Sequence, residues 1–258
     1  MTLIEQGKRN DPVVMGGSAE HSKIPVFSKR ILTIVGGYGS GKSEVAVNLA
    51  RQLAENQPEP VAIVDLDIVN PYFRSREAAA RLEELGIRAI NPKGSQFYAE
   101  LPIILPEIKG AIQQHDGFVV LDVGGDDVGA RVLSSFADAF DDIEYELFLV
   151  LNAYRPFTST VETAMKVIKE IEESSRLKFT GIISNTHLLE NTTVENVYEG
   201  YELARKVSEK LGVPIVFVSA LRDIAQKIDN KMIDIPVLPL HRYLLKPWER
   251  EEVNGKKH

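Results

Sequence analysis

The 258-residue sequence contains no cysteine. That absence excludes disulfide scaffolds, thiolate zinc sites and cysteine nucleophiles. Long apolar runs are missing too: none approaches the roughly 18–20 residues that cross a bilayer. The segment Met1–Asn10 lacks the apolar core of a secretion signal, so a soluble, cytoplasmic chain is expected. Basic charge is not in surplus, with 30 Lys and Arg against 37 Asp and Glu and a formal charge of −7. An acidic protein gains little from a polyanion, which disfavours nucleic acid and anionic membranes as general partners. Gly (18) and Pro (13) sit at ordinary frequencies, which rules out collagen-like and linker-like chains. What remains is 44% hydrophobic residues in a chain long enough to bury roughly 70–75% of its unfolded surface around one core.

Residues 1–28 read as an irregular extension, with short strands suggested at Pro12–Met15 and Ile24–Phe27. Residues 29–245 read as one domain and 246–258 as a charged tail. Within the domain, Ile31–Val35 is apolar but for Thr33 and mostly β-branched, which predicts a strand covered on both faces. Similar runs at Val61–Val64, Ile87–Ile90, Phe118–Leu121, Tyr145–Leu151, Phe179–Ile183 and Pro214–Val218 predict further strands, and Val237-Leu238 an edge strand. Between them, helical spacing predicts helices over Ser43–Glu55, Ser75–Leu85, Leu101–His115, Val128–Phe140, Thr160–Glu172 and Thr193–Leu211, with a short one near Leu221–Ile228. Repeated strand–helix alternation implies an α/β fold: an open, mostly parallel sheet with helices on both faces.

The sharpest signal follows the first strand. Gly36-Gly37-Tyr38-Gly39-Ser40-Gly41-Lys42-Ser43 matches G-x-x-x-x-G-K-[ST] between a predicted strand and a predicted helix. Its glycines let backbone N–H groups wrap around phosphates, and the following helix adds the positive end of its dipole. Lys42 would reach the β- and γ-phosphates, and the Ser43 hydroxyl would join a Mg²⁺ shell. The plainer alternative is a Gly-rich turn joining strand to helix.

Two later segments suit the same ligand. Leu121-Asp122-Val123-Gly124-Gly125 ends an apolar strand, at the sheet edge where ligands of open α/β folds bind. Asp122 would hold Mg²⁺ and Gly125 would offer an N–H to the γ-phosphate; alternatively Asp122 caps the next helix. Asp65-Leu66-Asp67 ends the second strand, and carboxylates two residues apart on extended chain share a face. Both could bind metal through water and orient an attacking water. Arg74 and Arg76 follow, as transition-state cations or as ordinary surface arginines.

Together these residues resemble the MinD/ParA/CobQ/CobB-type P-loop nucleotide-binding domains, within the wider class that includes the signal-recognition GTPases. The resemblance spans about Arg30 to Leu240. It implies that Lys42 and Ser43 hold phosphate and Mg²⁺, that Asp67 positions the hydrolytic water, and that Asp122 is the Walker B aspartate. The MinD/ParA branch also carries a signature lysine after the first P-loop glycine. Here that position is Gly37, so a homodimer completed by a trans lysine is not supported by the loop.

Guanine-specific members of the wider class read their base with N-K-x-D. The strand Gly181-Ile182-Ile183-Ser184 runs into Asn185-Thr186-His187-Leu188, with Leu188 where the Asp belongs. An Asn amide can pair with N6 and N7 of adenine, which favours ATP over GTP if Asn185 does more than end a strand. Asn152, after another strand, suits a substrate or switch loop. Three readings follow. The first is an ATP- and Mg²⁺-dependent switch and ATPase acting on a protein partner. The second is an ATP-dependent phosphotransferase or ligase acting on a small molecule, with Asn91–Tyr98 as a candidate pocket loop. The third, a GTPase metallochaperone, is disfavoured by the missing cysteines and the five scattered histidines.

Overall fold

The computed structural model describes residues 25–67, 79–90, 106, 108–113, 116–125, 127–135 and 145–243. Among these, eight strands form a single sheet: β1 (Ile31–Gly36), β2 (Val61–Leu66), β3 (Ile87–Ile90), β4 (Phe118–Gly124), β5 (Tyr145–Leu151), β6 (Gly181–Ser184), β7 (Ile215–Leu221) and β8 (Val237–Leu240). Their order is β3-β2-β4-β1-β5-β6-β7-β8, and every neighbouring pair is parallel. The helices are α1 (Lys42–Asn56), α2 (Ala79–Glu84), α3 (Asp127–Ser134), α4 (Val161–Ser175), α5 (Val194–Leu211) and α6 (Arg222–Ala225), and residues 108–113 are also helical.

Alternation along β1 explains the layering. Ile31 and Val35 belong to a core completed by Ile168 of α4 and Ala204 of α5, whereas Leu32 and Ile34 face a core formed with Val45, Leu49 and Leu53 of α1. A strand apolar on both faces can rest only between two helical layers, as the largely apolar β1 pattern implies. Two helix starts are sealed locally: Thr160 and Thr193 form capping boxes with Thr163 and Asn196. Helix α1 differs. Its N-cap is Gly41, in the left-handed region at φ 82°, and no side chain caps it.

Several boundaries depart from expectation. Residues 25–27 form no strand; instead the Phe27 ring packs 5.9 Å from Phe148, so the segment is held by one aromatic contact. Helix α3 is described over Asp127–Ser134, and the remainder of the expected helix, 136–140, lies outside the described residues. The edge strand is real, longer than expected, and parallel to β7. The suggested strand at Pro12–Met15, Arg74, Arg76, the Asn91–Tyr98 loop and the 246–258 tail lie outside the described residues.

Candidate nucleotide site

The sheet order places β1 and β2 on either side of β4, and the register sets Asp122 beside both Ile34 and Asp65. Asp65, Asp67 and Asp122 therefore converge where β1 releases its chain into the Gly36–Ser43 loop. All three carboxylates are buried, as are Lys42 and Ser43. Lys42 Nζ lies 2.6 Å from Asp67 Oδ2. Burial alone would lower the pKa of Lys42, but Asp122, Asp67 and Asp65 outweigh it and raise the value.

Asp122 is fully buried, and neither of its carboxylate oxygens makes a hydrogen bond of ordinary geometry. Burial raises its pKa from 3.8 to about 6, against the opposing pull of Lys42 and the nearby Ser43 hydroxyl. Asp65 Oδ1 accepts from the Asp67 N–H at 3.1 Å at the end of β2. One buried lysine thus stands among three carboxylates, a local negative excess inside a dry cradle. Such a donor set fits Mg²⁺, which takes one or two carboxylates together with substrate phosphates and water rather than an all-protein cage. Among the described residues, no group of three or more His, Asp or Glu could by itself hold a metal ion.

The loop is closely cradled. A Cβ on Gly125 would come within 2.3 Å of the Gly36 carbonyl carbon, so β4 and the loop touch backbone to backbone. A Cβ on Gly37 would meet nothing within 4 Å, so packing does not dictate glycine where the signature lysine would sit. Ser40 N–H donates to Gly37 O at 3.0 Å. Tyr38, at the tip, is 74% exposed.

Asn185 lines the cleft beside the loop. Its Nδ2 donates to Ser40 O at 2.7 Å and its Oδ1 accepts from Ser219 at 2.9 Å, so the buried amide ties β6 and β7 to the loop. Two residues of another segment also reach the loop. In the segment after β5, Arg155 Nε donates to Gly39 O at 2.8 Å, and the buried Asn152 bridges Gly39 O and His187 O at 3.5 and 3.3 Å. No short motif marks these two residues, because the fold alone brings them to the P-loop. Behind the loop a cleft of about 320 Å³ opens, lined by Lys42, Ser43, Arg155, His187, Leu189 and Arg242 among others. Arg242 is paired with Glu190 at 2.6 Å.

No known family pattern and no curated protein sequence matches the chain. Solved structures do. The cell division protein FtsY of Thermotoga maritima superposes with a TM-score of 0.52 and 18% identity, over 77% of this chain and 64% of its own. The signal recognition particle receptor FtsY of Elizabethkingia anophelis, in complex with GDP, gives 0.51 and 18% over 87% and 65%. The signal recognition particle 54 kDa protein of Aeropyrum pernix K1, also with GDP, gives 0.51 and 22% over 79% and 44%.

The fold is that of the P-loop NTPases. The chain spans less than two-thirds of the length of each of those neighbours. Among the described residues, no helix is long and apolar enough to cross a membrane.

Proposed function

We infer that the chain is a Mg²⁺-dependent nucleotide-binding switch that hydrolyses its nucleotide and presents the outcome to a protein partner. The observation that carries this reading is the buried cluster of Lys42 with Asp65, Asp67 and Asp122 beneath a glycine loop and an uncapped helix start. Backbone N–H groups of Gly37–Ser43 would receive the phosphates. Lys42 would exchange its contact with Asp67 for the β- and γ-phosphates, releasing Asp67 to hold the attacking water. Ser43 and Asp122, with Asp65 beside them, would hold Mg²⁺, which when bound neutralises charge on the β- and γ-oxygens. Gly125, packed against Gly36, would offer its N–H at the γ end. The MinD/ParA-type resemblance remains the finer family reading, without its signature lysine. A homodimer remains a separate proposal, to be tested by mass in the presence of nucleotide.

The base is the finer question, and two readings rest on different observations. ATP is supported by local chemistry: Leu188 stands where guanine would need a carboxylate, Glu44 is engaged with the Tyr243 N–H, and Glu190 with Arg242. GTP is supported by the neighbours, two of which are GDP complexes. Competition of unlabelled ATP and GTP for one labelled nucleotide decides between them. The transferase alternative is separated by following γ-labelled nucleotide. Label released as inorganic phosphate, faster with a partner, supports the switch, whereas label on a small acceptor supports the transferase.

A further inference from the structure

The β6 loop lacks the cation of N-K-x-D, since Thr186 follows Asn185 and its hydroxyl accepts from the Ala153 N–H at 3.0 Å. A cation reaches the same cleft from another strand. Arg155 lies over the P-loop: a Cβ on Gly39 would stand 2.8 Å from its Nε and 2.9 Å from its Cζ, and Gly39 itself is at φ 73°. The backbone that carries the side chain is fixed on both sides of Arg155. Arg155 N–H donates to Asn152 O, and Thr158 closes the turn through its hydroxyl on Asn152 O at 2.8 Å and its N–H on Arg155 O at 2.9 Å. Arg155 also lines the cleft, whose far reaches toward β7 and β8 are the apolar Ala220, Leu221 and Leu240. Its charge acts across that space, adding to burial in holding His187 down to about 4.

We propose that Arg155 is the specificity wall of the nucleotide site: its Nε anchors it to Gly39 O and its planar guanidinium stacks on the purine base of the bound nucleoside triphosphate. This rests on the nucleotide reading above. A guanidinium suits the task because it is flat, permanently charged and weakly hydrated, whereas a lysine ammonium is a compact point charge. Asn152 still donates to Gly39 O when Arg155 is shortened, so the phosphate cradle keeps a second support.

The test titrates the Mg²⁺ complexes of ATP, GTP and inorganic tripolyphosphate into wild type, R155A and R155K by calorimetry. Expected in R155A is about a tenfold loss of affinity for the preferred nucleotide, the scale of a desolvated cation–π contact, with tripolyphosphate affinity held within about twofold. R155K should recover less than half of that loss on a logarithmic scale, because charge returns without the plane. Equal losses for nucleotide and tripolyphosphate, unchanged nucleotide binding in R155A, or full recovery in R155K would each overturn the wall while leaving the nucleotide reading intact. Wild-type protein that binds tripolyphosphate but neither ATP nor GTP would overturn the nucleotide reading itself.

Discussion

Replacing Asp122 by asparagine should stabilise the nucleotide-free protein while disabling it. Asp122 is fully buried, and its folded-state pKa of about 6 lies above the ordinary 3.8. The folded protein therefore binds the extra proton more readily than the unfolded chain does. Stability from this group is complete below about pH 4 and is lost as pH rises through about 6. The gap corresponds to about 3 kcal/mol of destabilisation at neutral pH, with the attraction of Lys42 already included. The amide introduced by D122N has nearly the same shape as the carboxylate and no charge to desolvate. Urea unfolding of both proteins between about pH 3.5 and 7.5 should show the difference in favour of D122N growing by about 3 kcal/mol with rising pH. In heat, that is roughly 6–12 °C at neutral pH for a chain of this size. The comparison cancels the titrating groups that do not interact with Asp122. A stability difference that does not change with pH, or that moves against D122N as pH rises, would refute the reasoning that Asp122 is a charge held at a loss for the sake of a cation.

Other variants probe other parts of the site. D67N keeps the shape of the carboxylate beside Lys42, so nucleotide affinity should stay within a few-fold while phosphate release slows by about 10²-fold or more, read in a single-turnover assay. G125A forces a methyl group to within 2.3 Å of the Gly36 carbonyl carbon and should lower stability by about 1–3 kcal/mol and weaken nucleotide binding, both measurable in one thermal-shift series. Wild-type melting and binding in G125A would mean that β4 and the P-loop can separate freely.

The layers of the molecule were legible in the sequence because strand and helix periods differ and because parallel strands buried on both faces carry unbroken apolar runs. The P-loop was legible for a related reason: backbone that must wrap phosphates needs glycine at fixed spacing. What escaped the sequence is contact between segments distant in the chain. Nothing near Lys42 announces that Asp67, a strand away, holds its ammonium at 2.6 Å. Asn185 was visible as the residue ending β6, yet that its amide is engaged by Ser40 and Ser219 depends on three loops meeting. Asn152 was visible as a polar residue following a strand, but Arg155 carries no periodic or motif signal, and the Gly39 carbonyl they share lies more than a hundred residues upstream.

The central claim is that Lys42 at the start of α1 makes this a nucleotide site. Its most direct test is calorimetric titration of ATP and of GTP, each with Mg²⁺, into wild type and K42A. A fold check accompanies it, because removing the lysine leaves buried carboxylates uncompensated and should itself lower stability by about 3–5 kcal/mol. Saturable binding of one nucleotide per wild-type chain is expected, with none detectable in folded K42A. Equal affinity in both proteins would contradict it.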